Sequence, residues 1–158
     1  MGLKYGENAI DYDVGHDNIV IREVNEADGI AREYTEVIVK CADFDAAVTP
    51  GNHVAENVIT PKLAGMKLVD VYSICATQGA GGGQATTNVM IHRLRATASQ
   101  DIMDTGLTHG AEYSCHDGAV DETYEVTQLG DIHAIDVDTW RTGMLGFWVV
   151  FCYKPVTP

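Results

Sequence analysis

The sequence predicts an all-β protein: a jelly-roll-like antiparallel β-sandwich that carries an extended N-terminal arm. Three observations predict it. Short apolar runs rich in β-branched and aromatic residues recur along the chain. Clusters of Gly, Pro, Asn and Asp separate those runs. Helical periodicity is almost absent, so few helices are on hand to form a second layer, and sheet must pack on sheet.

Taken in order, residues 1–30 form the arm, and residues 31–158 form the sandwich domain. The arm is rich in Gly, Asp and Asn and holds one short apolar run, Ile19-Val20-Ile21. It either contributes one strand or behaves as a loose terminus. Tyr34 to Cys41 is β-branched and reads as a strand. Ala42 to Leu63 contains Pro50, Gly51 and Pro61 and reads mostly as loop, with a short strand near Val58-Ile59. Met66 to Ala76 and Thr86 to Leu94 are long strands, and the glycine cluster Gly79 to Gly83 between them reads as a hairpin tip. Residues 98–130 are polar and turn-rich, with short strands near Ile102-Met103 and Ala111 to Tyr113 and one helical turn within Val120 to Leu129. Asp131 to Asp138 is a strand.

Leu145 to Tyr153 is the last strand, and it is apolar on both faces. Phe147, Val149, Phe151 and Tyr153 alternate with Trp148, Val150 and Cys152. A surface sheet shows one polar face, so something must cover the second face here. Another subunit or the arm is expected to do so. The expected interface residues are therefore Phe147, Trp148, Val150, Phe151 and Tyr153, together with Ile19 and Ile21 of the arm.

Totals exclude several function classes. A chain of 158 residues suits one domain with a real core. It carries 23 acidic against 10 basic residues, a net charge of -13. Such a surface repels phosphate, so no nucleic-acid partner is expected, and a basic protein surface is a better match. No run approaches the roughly 18 apolar residues of a membrane helix, so no membrane partner is expected. Met1 to Glu7 lacks the apolar region of a signal peptide, and the expected place of synthesis is a cytoplasm. Cys41, Cys75, Cys115 and Cys152 lie far apart. Spacing does not choose among their three pairings, and with no sign of an oxidising compartment they read as buried thiols.

Candidate chemistry is thin. Gly79 to Gly83 is followed by Gln84-Ala85-Thr86 and a strand, which lacks the Lys-Ser/Thr and helix of a phosphate loop. The six histidines show no zinc spacing. Cys115-His116-Asp117 is the densest set of metal-ligating types, but three adjacent residues on an extended chain cannot all face one ion. Asp131, Asp136 and Asp138 flank one strand and read as solvated carboxylates rather than a calcium site. No nucleophile elbow surrounds Ser73, Ser99 or Ser114. Cys115 reads as the least buried cysteine, with nothing nearby to activate it. Trp140, Tyr113 and Tyr124 read as loop anchors. The expectation is a protein that is not an enzyme and carries no cofactor or metal.

Residues 64–153 resemble the jelly-roll or β-sandwich domain of tailed-bacteriophage structural proteins. Five segments carry the resemblance in order: Leu63 to Val71; Gly79 to Thr87 followed by Val89 to Leu94; Asp101 to Thr108; Gly130 to Asp138; and Gly143 to Phe151. Met144 stands near where that family often has Lys. The resemblance implies a virion component, foremost a capsid decoration (cement) protein that binds the outer capsid surface and stabilises capsomer junctions. The alternative is a tail or head-fibre module that binds a receptor glycan. It further implies two partners, the major capsid protein and the chain itself as a homotrimer, and a place on the capsid surface after synthesis in the host cytoplasm.

Overall fold

A computed structural model of the chain describes residues 3–5, 8–12, 19–25, 33–121, 123 and 126–156, with continuous side-chain detail beginning at Thr35. Strands in chain order are β1 (Leu3–Tyr5), β2 (Asn8–Tyr12), β3 (Ile19–Asn25), β4 (Glu33–Ala42), β5 (Gly51–Val58), β6 (Met66–Thr77), β7 (Thr87–Arg95) and β8 (Ala98–Asp101). They continue with β9 (Met103–Thr105), β10 (Leu107–His109), β11 (Ser114–Cys115), β12 (Ala119–Val120), β13 (Ile132–Thr139) and β14 (Leu145–Pro155). No helix occurs among the described residues. The protein is all-β, with antiparallel sheets packed as a sandwich.

Four pairings nest inside one another. β4 pairs with β14, β5 with β13, β6 with β11 and β7 with β10. From β4 to β14 the chain is therefore one long two-stranded ribbon whose turn lies between β7 and β10. Two further pairings, β14 with β6 and β13 with β7, roll the ribbon into two sheets. One has the order β1-β2-β3-β4-β14-β6-β11, and the other β10-β7-β13-β5 with β8 also on β7. In the N-terminal segment, β3 runs along β4, with Ile19 opposite Val39 and Ile21 opposite Val37, and β2 and β1 continue the sheet outward.

Alternation decides which side chains face the core. Val37 and Val39 of β4, Val71 and Cys75 of β6, and Val89 and Ile91 of β7 are buried, while their neighbours in sequence are less so. Two register shifts keep the alternation in phase where strands twist. Phe147 faces Ala42 and Trp148 faces Lys40, which leaves Cys41 as an extra residue in β4. Cys152 faces Asp70 and Tyr153 faces Leu68, which leaves Val69 as an extra residue in β6. Ala42 and Leu68 thereby turn inward and are buried.

β14 occupies the centre of the larger sheet, and this corrects the expected interface. Phe147, Val150, Phe151 and Tyr153 have no exposed surface, and Trp148 is half-buried. The first, third and fourth belong to the core between the sheets. Val150 and Cys152 point the other way, where Tyr72 opposite Val150 reaches Glu36 opposite Cys152 with a 3.3 Å hydrogen bond. The phenol spans β14 from one neighbouring strand to the other. Burial of both faces is achieved inside a single chain, so these residues do not await a second subunit. Ile19 and Ile21 have a backbone place on β3, and their side chains lie outside the described residues.

Three further expectations change. β5 occupies Gly51–Val58 where a loop was expected. It is polar because it is an edge strand paired only with β13, and Pro50 sits just before it, where no ladder N–H is needed. The expected helical turn is replaced by β12 and an isolated bridge between Val126 and Lys67. β6 and β7 do not form a hairpin, since they belong to different sheets. The glycine-rich connection crosses between the sheets and wraps the Arg141 side chain. The guanidinium donates to the carbonyls of Gln78 at 2.9 Å, Gly79 at 3.3 Å and Ala85.

Gly79 is where that wrapping is tightest. Its φ is +74°, and an added Cβ would lie 2.4 Å from the Met144 nitrogen and 2.5 Å from the Thr142 oxygen. Both are backbone atoms that cannot swing aside. Gly82 in the same loop meets nothing within 4 Å. Gly79→Ala is expected to cost about 2–4 kcal/mol of stability, whereas Gly82→Ala leaves it nearly unchanged, as read from urea unfolding midpoints.

Candidate functional site

The outer face of the smaller sheet carries a cleft of about 300 Å³, lined by Asn52, His53, His92, Leu94, Ser99, Ala134 and Asp136. Strand register assembles it. His92 of β7 sits opposite Asp101 of β8 on one side and Ala134 of β13 on the other, and Ala134 sits opposite Glu56 of β5. Ala134 is the smallest side chain in that row, and it leaves the depression. A register shift between Ile135 and Val137 adds residues to β5, and His53 within them takes φ +56°. That bulge aims the His53 backbone N–H at the Asp136 carboxylate, 2.7 Å away.

The polar groups form a chain across four strands. Asp101 lies 2.6 Å from His92 Nδ1, and Asp136 lies 2.9 Å from His92 Nε2. The other Asp136 oxygen accepts from His53 N–H, and His53 Nε2 lies 2.5 Å from Glu56. Ser99 is the only hydroxyl-bearing residue lining the cleft. An activated serine needs an imidazole nitrogen free to take its proton. Both nitrogens of His92 face carboxylates, so this ring is held in place and has no nitrogen turned to Ser99.

A serine–histidine pair does exist, in the core. Ser73 Oγ is 2.7 Å from His109 Nδ1, and His109 Nε2 is 2.8 Å from the Glu112 carbonyl. A carbonyl only accepts, so Nε2 carries the hydrogen and Nδ1 accepts from Ser73. Both residues have no exposed surface, and substrate cannot reach them. There is a second buried pair. Asn57 Nδ2 donates to the Tyr153 oxygen at 2.7 Å, and the Tyr153 hydroxyl is hydrogen-bonded to His133 Nδ1 at 2.8 Å. Burial pushes His133 down to about 4, lowers His109, and raises Tyr153.

No protein-family model, curated protein or solved structure matches the chain. Among those described, no group of three or more His, Cys, Asp or Glu is placed to hold a metal ion.

Residues singled out in the sequence scatter. Cys115 is buried, not the most open cysteine, and its thiol donates to Asp117 at 2.8 Å. His116 points elsewhere: it stacks on Tyr72 with centroids 4.3 Å apart and faces Asp70 at 3.9 Å. Asp131 is buried and bound by Arg95 through two 2.7 Å contacts. Burial alone would raise its carboxyl, but Arg95 and the Gln128 N–H outweigh that and lower it. Asp136 joins the cleft, and Asp138 is exposed. Trp140 packs edge-on against Phe147 at 5.3 Å, Tyr113 is exposed, and Tyr124 lies outside the described residues. All four cysteines are free thiols. The cleft was missed because its residues come from distant segments that only the register joins.

Two labelling outcomes follow from this chemistry. A fluorophosphonate probe for activated serines is expected to leave Ser73 and Ser99 unmodified in the native protein, as read by peptide mass mapping. Burial raises the thiols of Cys41 to about 12 and Cys115 to about 11, and also raises Cys75. Iodoacetamide at neutral pH is expected to modify these three only after unfolding.

Proposed function

We propose that the chain is a virion structural protein, a decoration (cement) protein that docks on the outside of a phage capsid and strengthens capsomer junctions. The strand order is the observation that carries this reading. First-with-last nesting of eight strands, β4-β14-β6-β11 against β5-β13-β7-β10, supports reading the sandwich as a jelly roll, a fold found in viral capsid domains. The five segments that resemble phage structural domains fall on β6, β7, β8 to β10, β13 and β14. A shared fold supports this reading by analogy, and the contact surface rests on exposed side chains.

Exposed large apolar side chains stand at the two ends of the sandwich. Val58, Val126, Leu129 and Val156 lie at the end where β13 begins and β14 finishes. Backbone bonds gather them there: Gly130 to Ile59, Thr127 to Met66, and the pairing of Met66 with Pro155. Phe44, 72% exposed, and Tyr113 lie at the opposite end, beside the start of β14 and the end of β6. In this proposal the Val58–Leu129 end seats on the capsid, and the net charge of -13 directs the protein toward basic capsid surface. Three copies assemble around each junction.

A tail or head-fibre module that binds a receptor glycan is the second reading. The cleft beside His92 favours it, because Asp136, Ser99 and Asn52 suit a hydroxyl-rich ligand. Its lining lacks the Phe, Tyr or Trp face on which a sugar ring stacks.

The test adds purified protein to phage heads stripped of their outer proteins. Saturable binding at a fixed number of sites per head, as trimers in sedimentation, is the expected result. Binding to host cells but not heads would sink the cement reading. The double variant Val126→Asp, Leu129→Asp is expected to lower head affinity about tenfold or more while thermal stability stays unchanged.

A further inference from the structure

Three side-chain hydrogen bonds in the core join one sheet to the other, Ser73–His109, Tyr153–His133 and Asn57–Tyr153, and the first two end on a histidine. His109 of β10 accepts a hydrogen bond from Ser73 of β6, and His133 of β13 is hydrogen-bonded to the Tyr153 hydroxyl of β14. Both rings lie among apolar groups. His109 is edge-on to Phe147 at 5.6 Å, and His133 lies against Phe151 and Tyr153. Neither histidine takes part in pairing within its sheet except through its backbone. Side-chain protonation therefore bears on the joint between the sheets and leaves the ladders alone.

We propose that His109 and His133 form an acid-operated latch: as solution moves from neutral to mildly acidic, both rings take up protons and the two sheets part while keeping their own strand pairing. A protonated ring places a cation in the apolar joint, and at His109 it also places a hydrogen on the nitrogen that had been accepting. Ser73 can rotate to accept that hydrogen, so the Coulombic cost of burial, more than the loss of one bond, does the work. The proposal does not depend on the virion reading.

Charges around each ring were weighed on both sides. Glu112 and Asp117 favour a charged His109, while Arg141 opposes it. Asp131 favours a charged His133, while Arg93, opposite it in the sheet, and Arg95 oppose it. Burial outweighs these neighbours in both cases, and both rings are held below the ordinary histidine value of 6.5. An opened or unfolded chain therefore binds more protons than the closed one. The contribution of His133 to stability is fully present above 6.5 and is lost as pH falls toward about 4. His109 acts in the same direction. The buried Asp131, whose carboxyl is lowered, loses its contribution only as pH falls below the carboxylate range near 3.8, so the two windows separate.

The experiment uses the full chain between pH 7.5 and pH 4.5. Urea unfolding at each pH is expected to show the folding equilibrium constant falling by up to about tenfold per pH unit for each histidine. ANS binding and exchange of core amides should rise together over the same range, while the far-UV β signal persists. His109→Asn and His133→Asn should each remove about one proton from the pH dependence. Should either variant fail to fold, ring-carbon NMR of the unmodified protein gives the same information: both rings must stay neutral until the amides open. A folding constant that is flat from pH 6.5 to 4.5 would overturn the proposal. So would rings that titrate near 6.5 inside a closed protein, or variants that keep the full dependence.

Discussion

Everything in this fold depends on burying β14 on both sides. It is flanked by β4 and β6 over most of its length, and Phe147, Val149, Val150, Phe151 and Tyr153 are fully buried. A large apolar side chain taken wholly out of water contributes about 1.5–3 kcal/mol, so this strand alone contributes an amount comparable to the net stability of an ordinary domain before entropy is charged against it. Nested pairing is the geometric answer to that demand. A strand that is apolar on two faces needs neighbours on both edges and covers above and below. Rolling the ribbon supplies the smaller sheet below, and Tyr72 reaching to Glu36 spans the strand above.

Legibility in the sequence followed the same physics. β4, β6, β7, β13 and β14 could be read because β-branched runs and period-two burial are local properties. β5 could not, because an edge strand with one partner tolerates Gly51, Asn52 and His53. The glycine connection was misread because its partner, Arg141, stands 62 residues from Gly79. Two-sided apolarity of β14 was read correctly, yet its cover was sought in a second subunit or the arm rather than within the sandwich. No local pattern says whether the opposite layer comes from the same molecule. The His92 cleft was equally invisible: Asp101 is near His92 in sequence, but Asp136 and Glu56 reach that row only through two ladders and a bulge.

The five histidines among the described residues show how one side chain takes different roles by depth. His92 and His53 sit on an outer face among carboxylates, and His116 stacks on a tyrosine. His109 and His133 sit between the sheets, where each is hydrogen-bonded to a hydroxyl and burial favours the neutral ring. What distinguishes them is which side of the sheet the residue faces, and a single bulge can reverse that.

First-with-last pairing also sets the order of events when the chain folds. Glu36 and Cys152 stand opposite each other although 116 residues separate them. A nascent chain on the ribosome cannot complete the larger sheet while β14 is still in the exit tunnel, because the central position between β4 and β6 is vacant until then. Both edges facing that vacancy expose ladder groups in the meantime, the condition under which strands recruit wrong partners. Closure joins segments of high sequence separation, so this topology belongs to the slow end of the folding range. A truncation that removes β14 would leave two open edges for aggregation rather than a smaller folded protein.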